Sequence, residues 1–204
     1  EAGTAITTGD ANVALGYGAF KTSTTGYHTV AIGVNAGDAI TTSGQNVLIG
    51  YDSGTTLTTG GDNTAVGDRS FKLATTAATN VAIGGTALEN TTTGSNNVGV
   101  GWGSLRANTT ASNNTAFGYA SLTANTTGTG NVAVGYTASD AITGGSDNVS
   151  VGLAALTSDT LGNKSVAIGN YSLAYQNFTS GTDTYNTAVG HLAGNAVTTG
   201  INNT

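Results

Sequence analysis

The chain has 204 residues, 32 of them glycine, with no proline, cysteine or methionine, only 8% charged side chains and a formal net charge of −6. Without a thiol there is no disulfide and no thiolate metal site, and five Lys plus Arg with no basic cluster exclude a nucleic-acid footprint. No apolar run approaches the roughly 20 residues of a membrane span and no signal peptide is visible, while the missing Met leads us to expect a segment of a longer chain.

A composition this rich in Gly, Thr, Asn and Ala is shared by disordered low-complexity chains, but strict periodicity argues against that class. Short apolar runs end in glycine at Gly16, Gly33, Gly50, Gly67, Gly84, Gly101, Gly118, Gly135, Gly152, Gly169 and Gly190. Nine of the ten intervals are 17 residues and the last is 21. A unit this short cannot bury an apolar face alone, so it must stack on its copies. The expected fold is all-β, a parallel β-solenoid (β-roll or β-helix) of about twelve coils, with residues 1–204 as a single repeat domain. At roughly 4.8 Å per coil this makes a rod on the order of 55 to 60 Å long.

Within each coil the first element is a strand ending at the glycine, such as Asn12-Val13-Ala14-Leu15 or Asn80-Val81-Ala82-Ile83. Alternation puts the Val/Thr and Ile/Val columns on one side and the Ala column on the other. We expect the larger columns (Leu15, Ile32, Ile49, Val66, Ile83, Val100, Phe117, Val134, Val151, Ile168, Val189) inside. The small one (Ala14, Ala31, Ala65, Ala82, Ala116, Ala133, Ala167, Ala188) then forms an outer strip that another chain can approach closely.

After the glycine comes a bulky residue in Tyr17, Tyr51, Trp102, Tyr119 and Tyr136, then, two positions on, a column of only Ala or Ser. The next column is large at Phe20, Phe71, Leu88, Leu105, Leu122, Leu156 and Leu173 but small at Gly3, Gly37, Gly54, Ser139 and Gly194. Where it is small, the residue three further on is large: Ile6, Ile40, Leu57, Ile142 and Val197. Close packing conserves volume, so these two positions are expected to share one space in the core.

The coil then runs through a Thr column (Thr7, Thr24, Thr41 and onward), usually doubled, and an Asn column (Asn12, Asn46, Asn63 through Asn148, then Asn186 and Asn203). Both are expected to hydrogen-bond from coil to coil, as Asn ladders do in cross-β stacks. The glycine after the Thr pair (Gly9, Gly26, Gly60, Gly94, Gly128, Gly162, Gly200) reads as a corner with positive φ. The four surplus residues are placed in a bulge within residues 175–185.

The run Asn114-Thr115-Ala116-Phe117-Gly118-Tyr119-Ala120-Ser121-Leu122-Thr123-Ala124-Asn125-Thr126-Thr127-Gly128 resembles the Gly/Asn/Thr-rich repeat of phage and other viral tail-fibre proteins and of bacterial surface adhesins. The strand half, as in Ser165-Val166-Ala167-Ile168-Gly169, is similar to head repeats of trimeric autotransporter adhesins, which are left-handed parallel β-rolls packed as trimers. The likeness covers essentially the whole chain. It implies a fibrous extracellular protein of a virion or cell surface, a homo-oligomer, most simply a trimer, and no catalytic residue.

Residue chemistry points the same way. His28 and His191 occupy different columns of distant coils and are read as surface histidines. Asp10, Asp62 and Asp147 lack the full spacing of calcium-binding β-roll repeats. Asn90, Asn108 and Asn125 match the glycosylation acceptor pattern, which arises by composition in a chain rich in Asn and Thr. The aromatics after glycine are read as packing or surface residues that can also stack on sugar rings, making a cell-surface glycan or receptor a candidate partner. No catalytic, cofactor-binding or metal site is expected, no cofactor, and no enzyme activity; scattered acids do not make a pectinase-like face.

The leading expectation is a structural and adhesive rod. Ice binding through the Thr columns ranks second, because adjacent threonines on a regular strand would send one of each pair inward. A self-assembling extracellular filament is the third.

Overall fold

The computed structural model describes all residues 1–204. It contains no helix. Thirteen short strands follow one another: β1 (Val13–Leu15), β2 (Val30–Ile32), β3 (Val47–Ile49), β4 (Thr64–Val66), β5 (Val81–Ile83) and β6 (Val98–Val100). They continue as β7 (Thr115–Phe117), β8 (Val132–Val134), β9 (Val149–Val151), β10 (Gly162–Asn163), β11 (Val166–Ile168), β12 (Thr182–Asp183) and β13 (Thr187–Val189). Eleven form one parallel sheet in chain order, and β10 pairs with β12 beside it. The register is one repeat per coil: Val13 faces Val30, Ala14 faces Ala31 and Leu15 faces Ile32. This is a parallel β-solenoid with a 17-residue rise, its eleven rungs spanning roughly 48 Å at about 4.8 Å each.

Strands of three residues contribute little of the hydrogen bonding. Of 123 backbone bonds, only 21 join two strand residues, and most of the others run from coil to coil through the strand ends and the turns as regularly as the sheet. The amide of Phe20 donates to the carbonyl of Ala36, Leu88 to Ser104 and Leu105 to Ser121, all one coil on. Most coils have three αL positions beyond the glycine itself: the residue before the Asn column, the second after the glycine and the fourth after it. The first tolerates αL cheaply when it is Asn96, Asn113 or Asp147, because these side chains adopt the region readily.

The strand faces are inverted relative to the sequence reading. The Ala column is inside: Ala31, Ala65, Ala82, Ala116, Ala133, Ala167 and Ala188 are buried, with Ala14 partly covered at the first rung. The larger column from Leu15 to Val189 faces outward, as does the Val/Thr column, giving a strand pattern of covered centre and open flanks. The reason is the width of a 17-residue coil. A Cβ added at Gly99, in the centre of β6, would stand 3.1 Å from Ser104 Oγ and 3.3 Å from Leu88 Cγ on the opposite wall. The wall leaves room for a methyl group and no more. Leu48 is the one large residue in that column, and it sits between Gly37 and Gly54, where a Cβ would lie 2.8 Å from a Leu48 methyl in each case.

The shared-space expectation is supported. Phe20, Phe71, Leu88, Leu105, Leu122, Leu156 and Leu173 are buried, and so are Ile40, Leu57 and Ile142 of the alternative version. At Gly37 the absent Cβ is replaced by Ile40, whose Cδ1 lies 3.1 Å from its position.

The corner glycines need another explanation. Gly9, Gly26, Gly60, Gly94, Gly128, Gly162 and Gly200 do not have positive φ. A side chain at Gly9, Gly60, Gly94 or Gly128 would instead run into a carbonyl oxygen of the next coil. The strand-ending glycines carry the left-handed requirement, with φ between 125 and 141°.

Polar ladders complete the interior. From Asn46 to Asn97, each Asn Oδ1 accepts from both the backbone amide and the Nδ2 of the Asn one coil on. The Asn ladder skips Ser165, and the coil with the surplus residues repairs the gap. Gln176 Nε2 donates to Ser165 Oγ at 2.7 Å and to Asp159 Oδ2 at 2.6 Å, and Gln176 Oε1 accepts from Asn186 at 2.8 Å. The surplus falls where expected: Leu161 still bonds to Phe178, and residues 179–181 then bulge outward before β12.

Candidate interaction surfaces

Four outward features distinguish the rod. The first is the sheet face itself. Because the wide strand columns point out, one line of apolar side chains from Leu15 to Val189 runs its whole length beside a second of Val interrupted by Thr64, Thr115 and Thr187, with Ile83 40% and Phe117 55% exposed. The strip of small residues expected there lies in the core, so any partner on this face meets Val and Ile rather than Ala.

The second is the threonine edge. The segment after the core turn is not a regular strand, and both members of each Thr pair face outward, contrary to the alternation expected from sequence. In the first column the hydroxyls are committed to the next coil: Thr58 Oγ1 donates to the Thr75 carbonyl at 2.8 Å and Thr92 Oγ1 to the Thr109 carbonyl at 3.1 Å. In the second column Thr8, Thr25, Thr42, Thr59, Thr76, Thr93, Thr110 and Thr127 are all exposed, one per rung.

The third is the aromatic column. Trp102 stacks on Tyr119 and Tyr119 on Tyr136, each pair 5.1 Å apart and within 14° of parallel. The spacing follows from the coil rise, which holds successive rings near the separation that offset stacking favours.

The fourth is the bulged coil. Lys164 Nζ meets Asp183 Oδ2 at 2.6 Å and lies 5.3 Å from the centre of the Tyr185 ring. The hydrogen bond from Lys164 holds the Asp183 carboxyl below its usual range, and the bonds to Asp183 and Tyr185 raise the Lys164 ammonium. Both groups are open to solvent, which screens the pair.

The other singled-out residues do not converge. His28 packs edge-on against Tyr27 in the second coil, and His191 is on the last rung. Asp10, Asp62 and Asp147 are exposed on separate coils. Asn108 and Asn125 are fully buried, where Asn108 donates to Thr91 and Asn125 to Asn108, so neither is available as a glycosylation acceptor in the folded chain. Sequence reasoning missed the outward aliphatic face. The signal was present in Leu48, whose size is matched by Gly37 and Gly54 rather than by changes on its own face.

Comparison with family models, with curated proteins and with solved structures found no match. No helix is long and apolar enough to cross a membrane.

Proposed function

We propose that the chain is a structural and adhesive rod of an extracellular fibre, the shaft or head of a viral tail fibre or of a bacterial surface adhesin, without catalysis. It works as a homo-oligomer, most simply a trimer, whose copies meet along the aliphatic sheet face. The observation that carries this reading is the outward column of Leu, Ile, Val and Phe that runs through all eleven rungs from Leu15 to Val189, flanked by a second column of Val broken only by Thr64, Thr115 and Thr187, in a chain with only 8% charged residues. Contiguous exposed apolar surface marks an interaction site, and depletion of charge is the mark of an interface centre. The corresponding experiment is mass in solution by light scattering. The native segment should sediment and scatter as an oligomer, and the double variant Ile83→Lys, Phe117→Glu should fall to monomer with an unchanged far-UV spectrum. A native segment that stays monomeric at high concentration overturns the reading.

An ice-binding role is the second reading, favoured by the eight consecutive exposed threonines of the second Thr column. Ranked threonines one rung apart supply methyl and hydroxyl groups at a fixed interval. Thermal hysteresis that vanishes in Thr76→Lys, Thr93→Lys would support it, and absence of hysteresis in the native chain would remove it.

A further inference from the structure

The two outward lines of the sheet face are unequal, and always in the same sense. On six of the eleven rungs the residue just before the glycine is larger than its companion two positions earlier: Ile32 stands beside Val30, Ile83 beside Val81 and Phe117 beside Thr115. The other five rungs pair Val with Val or Thr with Val, and on none is the earlier residue the larger. Neither line carries a charge on any rung.

The face is long and narrow. Eleven rungs at about 4.8 Å, each three residues wide at about 3.3 Å per residue, give roughly 500 Å² in plan, so two such faces in contact cover about 1,000 Å², where specific interfaces begin. Reaching that area needs a contact on every rung. A partner with another row spacing would meet the face only where its side chains drift into phase, whereas a second copy of this chain offers one row per rung along the whole length.

We infer that copies of this chain lie side by side on this face with the same end up, the larger line of one copy packed against the smaller line of the next, rung on rung. The inference rests on the oligomer reading above. When a two-fold axis runs along the rod, the strand direction reverses across the contact, so larger meets smaller. Three faces turned toward a common axis give the same pairing at each of their three edges. Inverted copies put larger on larger and smaller on smaller, which opens the contact into a wedge, and atoms lining a gap forfeit their dispersion contacts. Closed cyclic symmetry also holds equal rungs at equal heights, so Phe117 of one copy meets Thr115 of the next. The bulged coils of all copies, with Lys164, Asp183 and Tyr185, then form one collar near a single end. Such an assembly has two unlike ends, one free to be anchored and the other to bind.

Energy transfer between labels reads the direction. The chain has no cysteine, so the exposed positions Thr25→Cys and Ser180→Cys can each be labelled alone; they lie nine coils apart, on the order of 43 Å along the rod. Donor-labelled and acceptor-labelled chains are refolded together from denaturant, and solution mass is checked against the native chain. Transfer in the 25/25 and 180/180 mixtures should exceed that in the 25/180 mixture severalfold. The reverse order, or equal transfer in all three, overturns the inference while leaving the oligomer in place. Native chains that scatter as monomers overturn the oligomer reading and this one with it, so the two failures are told apart. The pairing of lines has its own variants: Thr115→Phe sets a second ring opposite Phe117 of the next copy and should weaken assembly severalfold more than Thr64→Phe, which meets Val66. Equal weakening by the two overturns the pairing.

Discussion

Between residues 34 and 60 the core is filled by Ile40, Leu48 and Leu57, and the left-handed turn positions Gly37 and Gly54 are glycines with φ of 58 and 57°. Between residues 85 and 128 the same space is filled from the turn itself, by Leu88, Leu105 and Leu122 with φ of 50, 51 and 49°. In the second region bulky side chains occupy αL, at a cost of roughly 1–2 kcal/mol per residue, and the partner position is released for a polar group. Thr91, Asn108 and Asn125 take it and hydrogen-bond to one another across coils. One backbone therefore accepts two cores. The first keeps this turn position unstrained by glycine and fills the shared space with apolar side chains; the second accepts strain there and gains an inner polar ladder beside the outer Asn ladder.

The largest change expected on this comparison is Leu48→Ala, which empties the space that Gly37 and Gly54 leave to it and should cost about 2–5 kcal/mol in denaturant melts. The mirror substitution, Ala116→Leu, pushes a large side chain against the wall that holds Leu105 and Leu122 and should cost about 1–3 kcal/mol. If Ala116→Leu were as stable as the native chain, the argument from coil width would fail.

Converting one core type into the other is a finer test. Leu105→Gly loses the packing of a buried leucine but also releases its left-handed strain, so a net loss of roughly 1–3 kcal/mol is expected. Adding Asn108→Ile should recover part of it by refilling the space from the unstrained side, although the bonds from Asn108 to Thr91 and to the Ala111 carbonyl disappear. Equal instability of the single and double variants would show that the positions do not exchange volume.

The smallest effect lies outside both cores, at the exposed Lys164–Asp183 pair of the bulge. Asp183 is lowered from 3.8, so its contribution is present above that value and is lost as pH falls through the lower folded value. Lys164 is raised from 10.5, so its contribution is present below 10.5 and is lost as pH rises through the higher folded value. Between these limits the pair should leave stability flat, and Asp183→Asn should shift melting only slightly near neutral pH while removing the acid-side slope. A large neutral-pH destabilisation by Asp183→Asn would mean that the bulge is coupled to the core.

Much of the molecule was legible in the one-dimensional pattern. The glycine interval determined the solenoid and its register, the Asn and Thr columns determined the ladders, and the exchange of Leu105-type for Ile40-type residues determined the shared core space, because each depends only on identical coils stacking in phase. The facing of the strands was not legible from alternation. A three-residue strand has only an inside and an outside, and which one takes the larger side chains depends on the distance to the opposite wall, a property of the closed coil and not of the strand. That wall, built by the turn residues from Ala19 to Leu173, leaves room for alanine; tertiary structure therefore decided that Val, Ile and Phe go out, that both threonines of a pair lie on the outer side of the coil, and that the sheet face is apolar.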